Sequence, residues 1–231
     1  MAEDLFPRAL SLAVHELRTP VTVVSGYLRM LLREQAGPLT EKQKKMLEEA
    51  ERSCARIGAL VGEMSELGKL ESGDAAVGAQ PIDLAALLAE LASGMHDGDD
   101  RGVRIETRGT SQPVMVTGDR ARLSTALRAL IHAAVRERGE PGVIVVECSI
   151  LTDTTPASAL VTIADEATVH ALRDAARDTP PWFDEFRGGL GLALPIGRRV
   201  IERQGGVLWS AGGEQRRAGT ALRLPITGES R

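Results

Sequence analysis

Leu10, Val14, Leu17, Val21, Val24, Leu28 and Leu31 recur at alternating intervals of four and three residues. That period draws one apolar seam along a helix and fits neither a strand nor a loop. A second run, Leu47, Ala50, Cys54, Ile57, Val61 and Met64, repeats the pattern after the turn AGPLT. Thr40 and Gln43 have the spacing of a capping box at its start, and Gly73 is suited to a left-handed stop at its end. Each helix should run roughly 30 residues, or about 45 Å at 1.5 Å per residue. A hairpin of two such helices carries a broad apolar stripe and too little of its own to bury it against. The economical solution is a second copy across a two-fold axis, so a homodimeric four-helix bundle is expected.

The chain of 231 residues is long enough for two domains, and its texture changes where a boundary is expected. Helical periodicity fills residues 1–73. The small, polar stretch SGDAAVGAQP, with Gly73, Gly78 and Pro81, makes 74–80 a linker. From Pro81 to residue 228, short apolar strands alternate with helices and glycine turns, the pattern of an α/β layer. The formal net charge is −4, which gathers neither phosphate backbones nor anionic lipid, so nucleic acid is not an expected partner. Cys54 and Cys148 lack metal-ligand spacing and fit a reducing cytoplasm. MAEDLFPRAL has no basic-then-apolar leader, and no 18 apolar residues follow one another, so neither export nor a membrane span is read.

Within LAVHELRTPVTVVSGYLRML, His15 sits one residue past the seam position Val14, about 100° around the helix, and should be wet. Thr19 and Thr22 share its face. Pro20 has no N–H for the carbonyl of Glu16 and should bend the helix just beyond the histidine. On spacing alone, His15 is either a solvated surface histidine beside a kink or a reactive group held out for a partner.

The letters HELRTP, followed by an apolar helix, a second helix, a linker and an α/β region, resemble the dimerisation and histidine-phosphotransfer domain of two-component sensor histidine kinases. By that resemblance His15 is the phosphoacceptor, its imidazole nitrogen attacking phosphorus. Glu16 then orients or deprotonates the other ring nitrogen. Thr19 falls where the family positions water for dephosphorylation of a response regulator, whose receiver domain is the implied partner.

The resemblance also implies an ATP-binding domain in the C-terminal part, giving an α+β protein whose mixed sheet carries helices on one face. PIDLAALLAELA reads as a helix capped by Asp83 with Leu84, Leu87, Leu88 and Leu91 inward. DRARLSTALRALIHAAVRERG reads as a helix opened at Asp119, stopped by Gly139, with Leu123, Leu127, Leu130 and Ala134 inward. VRIETR, PVMVTGD, GVIVVECSI and ALVTIAD read as strands, and GVLWSAGGEQRRAGTALRLPI as a closing hairpin. The implied cofactor is ATP with magnesium, yet the nucleotide motifs are degenerate. Where the family has NLLxNAxK, this chain has ALIHAAVR: Ala133 offers magnesium no oxygen, Arg136 keeps the positive charge, and His132 is a poor substitute. DEATV replaces DxGxG, keeping Asp165 but placing Ala167 and Val169 at the glycines. WFDEFRGGLGLAL leaves no room for a nucleotide lid. Asp165, Arg136, Gly189 and Gly191 are the residues that could still meet a nucleotide. Asp165 reads equally as a strand-end cap, and the two glycines as a tight helix start. No metal ligands are assigned. Three functions stay open: a phosphotransfer protein working through His15, an ATP-dependent kinase with an unorthodox site, and a non-catalytic binder of a response regulator.

Overall fold

The structure is a computed structural model that describes residues 5–73, 78, 80–96, 98–110, 112–187, 189–211 and 219–227. The chain divides after residue 75 into two compact units. Most of the expected linker, residues 212–218 of the expected closing hairpin and the expected domain end at 228 lie outside the described residues.

The first unit is a hairpin of helices α1 (Leu5–Leu32) and α2 (Glu41–Ser72). The capping box forms: the Thr40 hydroxyl accepts from the Gln43 amide at 3.3 Å, and Gln43 Oε1 accepts from the Thr40 amide at 2.9 Å. Gly73 closes α2 with φ 81°, left-handed as its stop requires. The helices run antiparallel, with Leu10 against Gly68, Val21 against Gly58 and Ser25 bonded to the Cys54 thiol at 3.1 Å. The two glycines carry no side chain to hold α1 away. Val14, Cys54 and Val61 are buried, whereas Leu17, Val24 and Ile57 remain 42%, 49% and 49% exposed. One hairpin therefore covers only part of its apolar seam.

The second unit is α+β. In chain order it comprises β1 (Gln80–Asp83), α3 (Leu84–Ser93), a 3₁₀ turn (Asp99–Arg101), β2 (Val103–Gly109), β3 (Met115–Gly118) and α4 (Arg120–Glu137). There follow β4 (Gly142–Leu151), β5 (Ser158–Asp165), α5 (Val169–Asp178), α6 (Ala193–Arg203), β6 (Val207–Ser210) and β7 (Gly219–Pro225). The main sheet has the order β2-β4-β5-β7-β6; β2 pairs parallel with β4 and the other pairs are antiparallel. β1 and β3 make a separate antiparallel ribbon.

Side chains alternate across a strand, so β4, β5, β6 and β7 feed two cores. Ile144, Val146, Cys148, Val161, Ile163 and Leu222 face one way and pack with leucines of α3 and α4 and with Leu194 and Ile201 of α6. Every leucine expected inward on α3 and α4 is buried, as is Ala134. Asp83 caps α3 and Asp119 caps α4 through side-chain bonds to the first-turn amides. Val145, Leu160, Ala164, Trp209 and Ala221 face the other way and meet Val169, Leu172 and Ala176 of α5. The expected layer of helices on one face is thus α3, α4 and α6, and α5 adds cover on the opposite face. That is why β5 is buried along its whole length and reads as a nearly continuous apolar run. The helix expected to stop at Gly139 ends earlier, at Glu137, where Arg138 turns to extended backbone.

Both cysteines are free and buried. Burial, helped by the nearby carboxylates of Asp83 and Glu147, raises the Cys148 thiol from 9.0 to about 11. Its folded pKa is raised, so its contribution to stability is intact below about 9 and is lost as pH climbs toward 11. At pH 8 a thiol reagent should modify neither cysteine in the folded protein while reacting fully after denaturation. Rapid native labelling of Cys148 would contradict its burial.

Candidate functional site

His15, Glu16 and Thr19 all lie on the exposed surface of α1. Val14, directly before the histidine, is buried against α2 and fixes the rotation of the helix. At 3.6 residues per turn, His15 lies about 100° to one side of Val14, while Leu17 and Val24 lie roughly 60° to 80° to the other. The imidazole and the uncovered apolar seam therefore occupy opposite flanks. Thr19 stands one turn beyond His15 on nearly the same face. Helix α1 continues through Pro20, which leaves the Glu16 carbonyl without its usual amide donor. Two residues later the Thr22 hydroxyl donates back to the Arg18 carbonyl at 2.8 Å. What α1 offers is an accessible imidazole on a rigid rod, with a carboxylate and a hydroxyl within one turn.

In the second unit, the residues matched to the nucleotide motifs occupy the C-terminal end of α4, the end of β5 and the start of α6. Ala133 is fully buried within the core, its methyl group among apolar neighbours. Arg136 is exposed and its guanidinium lies near Gly189: a β-carbon there would be 3.8 Å from Nη2. Gly189 and Gly191 have φ 59° and 62°, left-handed values that favour glycine, just before α6 begins. The remnant of the aspartate motif departs further. Thr168 bonds back to the Asp165 carbonyl through its amide at 2.9 Å, Ala167 is exposed, and Val169 opens α5 as a fully buried member of the second core. The letter that stands for a lost glycine is a core residue of a helix.

Asp165 itself is only 4% exposed and is ion-paired with Arg138. Arg138 is further fixed by donating from Nε to the Glu140 carbonyl at 2.9 Å and from Nη2 to the Pro141 carbonyl at 3.0 Å. Arg101 ties down the same corner, reaching the carbonyls of Val135 and Arg138, each at 3.2 Å. Beside it Arg187 donates to Glu137 at 3.4 Å and to the Thr220 hydroxyl, and its guanidinium lies 5.7 Å from the Phe183 ring centre. Burial lowers the Arg187 pKa against the opposing pull of Glu137 and Asp184. Burial likewise raises the Glu137 carboxyl, with the Arg187 charge working the other way. The sequence reading missed Arg138, Arg187 and Glu137, because nothing in their spacing announces where long side chains will end.

The chain thus joins a helical hairpin that presents an exposed histidine to a unit built on a mixed sheet with helices on its faces. Residues 8–73 match the model of the His Kinase A (phospho-acceptor) domain. Sensor protein GacS of Pseudomonas syringae pv. syringae is 29% identical over 231 residues, covering 94% of this chain and 25% of that protein. Signal transduction histidine-protein kinase BarA of Escherichia coli (strain K12) is 29% identical over 206 residues, covering 83% of this chain and 22% of that protein. The chain thus spans a minor part of the length of these relatives. Among solved structures, full-length ShkA in complex with AMPPNP aligns with a TM-score of 0.72 at 23% identity, over 97% of this chain and 47% of that one. Acinetobacter baumannii histidine kinase AdeS aligns at 0.59 and 20% identity, over 93% of this chain and 98% of that one; at such identities the likeness is one of fold. Residues 8–73 thus carry the signature of a His Kinase A (phospho-acceptor) domain, and over most of its length the chain is similar to two-component sensor histidine kinases. Among the described residues no helix is long and apolar enough to cross a membrane.

Proposed function

We propose that this chain is a phosphotransferase of two-component signalling in which His15 accepts and donates a phosphoryl group exchanged with an aspartate of a response-regulator receiver domain. The observation that carries this reading is the exposed imidazole of His15 inside the HELRTP stretch of α1. An imidazole nitrogen attacks phosphorus, the P–N bond forms, the acyl-phosphate P–O bond breaks, and the receiver carboxylate leaves. Glu16 takes up the proton of the other ring nitrogen, and Thr19 holds water for hydrolysis of the phosphorylated receiver. The protein works as a homodimer, joined on the Leu17 and Val24 flank, in the cytoplasm. Its working parts are the hairpin of residues 1–73, a linker of 74–80 and the degenerate nucleotide-domain-like unit of 81–228.

Magnesium-ATP does not fit the second unit. The methyl of Ala133 supplies no oxygen to a cation that requires a near-octahedral oxygen shell. Asp165 is already engaged by Arg138, and Val169 is committed to the core of α5. On this reading the unit docks and stabilises rather than phosphorylates. One observation favours the alternative of an unorthodox ATP-dependent kinase: Arg136 beside the left-handed Gly189 could still meet an anion. Labelling separates the two. Incubation with a receiver domain phosphorylated on its aspartate should place base-stable, acid-labile phosphoryl on the chain, and labelled magnesium-ATP alone should place none. Stoichiometric label from ATP would overturn the relay in favour of the kinase.

A further inference from the structure

We infer that Arg138 is an internal ligand for Asp165, and that with Arg187 it fills from within the place where the family would seat an adenine nucleotide. The inference rests on the correspondence of Asp165 with the family's aspartate, which is part of the reading above. What fills that place comes from this chain's own geometry. The Asp165 side chain is 6% exposed and that of Arg138 20%, so little water is available to either charge apart from the other. The guanidinium approaches the carboxylate and is pinned from behind by the carbonyls of Glu140 and Pro141. Gly142 completes the seat: its φ is 151°, and a β-carbon there would fall on the Arg138 guanidinium. An adenine amino group would bring neutral N–H donors, whereas Arg138 brings a charged fork already held in place. The base has nothing to offer that outbids it.

Arg187 occupies the adjoining wall. It runs from the segment before Gly189 to Glu137 at the end of α4 and to Thr220 on β7, on the face of the sheet that carries Ile163 and Leu222. Two acids and two guanidiniums therefore lie together between the end of α4 and the sheet. Each of these two acids thus faces a guanidinium of the same chain.

The test is equilibrium binding of a fluorescent methylanthraniloyl-ADP in EDTA, so that the loss of a magnesium ligand at Ala133 plays no part. Wild type should show no saturable binding into the high micromolar range. Arg138→Gln, which leaves a polar neighbour for Asp165, should bind about tenfold more tightly or better, on the scale of one released charge-assisted contact. Adding Asp165→Asn to it should remove the gain. Micromolar binding by wild type overturns the proposal, as does an Arg138→Gln protein with native circular dichroism and no gain. Should Arg138→Gln fail to fold, Asp165→Asn alone decides against wild type. Unchanged, negligible ADP binding with a lowered melting temperature supports the internal pair, and weakened binding from a measurable wild-type value refutes it. Phosphoryl transfer from a receiver to wild-type His15 is scored separately, so failure of the phosphotransfer reading is distinguishable from failure of this one.

Discussion

Leu17→Glu combined with Val24→Glu should convert the protein from a dimer to a monomer, weakening self-association on the order of a thousandfold or more, which is about 4 kcal/mol. Both side chains are long-exposed parts of a seam whose other members, Val14 and Val21, already serve the contact with α2. Within one hairpin they stay 42% and 49% exposed, apolar surface that the same flank of a second copy would cover. Two carboxylates per protomer at that contact would be desolvated without counter-ions, which is costly in a way that trimming the side chains is not. Because the substituted positions are exposed in the single hairpin, its own helices should form as before. Leu12→Glu is the control: Leu12 is exposed on a different face and should leave association unchanged. Sedimentation equilibrium reads all three proteins. A wild type that is monomeric at micromolar concentration, or a double variant that still dimerises, removes the bundle from the account.

The elements that could be read from the letters are those in which local chemistry and burial agree. Helices α1 and α2, the capping box at Thr40 and the inward leucines of α3 and α4 follow from local signals and apolar periods, and the structure keeps them, with Leu17, Val24 and Ile57 of the seams left exposed in one hairpin. β1 escaped notice because four residues containing Pro81 make too short a signal, and its partner β3 is far along the chain. α5 escaped for a different reason. Its buried positions are only Val169, Leu172 and Ala176, and Val169 looked like a worn glycine of a nucleotide motif rather than the first residue of a helix. The candidate site divides in the same manner. The exposure of His15 could be derived from its offset against Val14, a matter of angle along one helix. The engagement of Asp165 could not, since it depends on where a flexible arginine from another element comes to rest once the sheet has closed.

His15→Gln should abolish acid-labile phosphorylation of the chain by a phosphorylated receiver, a loss exceeding about a thousandfold, with stability unchanged within about 0.5 kcal/mol. Glutamine retains size and polarity but has no ring nitrogen lone pair to form the P–N bond. No other side chain can inherit the role through proximity in the helix, because Glu16 and Thr19 would give esters or anhydrides of different acid and base lability. The remaining histidines serve as internal controls. His96 pairs with Asp99 at 3.2 Å, His132 is half-buried on α4 and His170 is exposed on α5, so each belongs to the second unit and none is flanked by the HELRTP letters. Thr19→Ala should separate two activities that His15→Gln removes or leaves together: phosphoryl transfer to the histidine stays near normal, while dephosphorylation of the receiver slows. Equal loss of both in Thr19→Ala would assign Thr19 to the shape of the docking face rather than to the placement of water. Acid-labile phosphoryl persisting on His15→Gln would place the acceptor elsewhere and leave the exposed imidazole of α1 with no chemistry of its own.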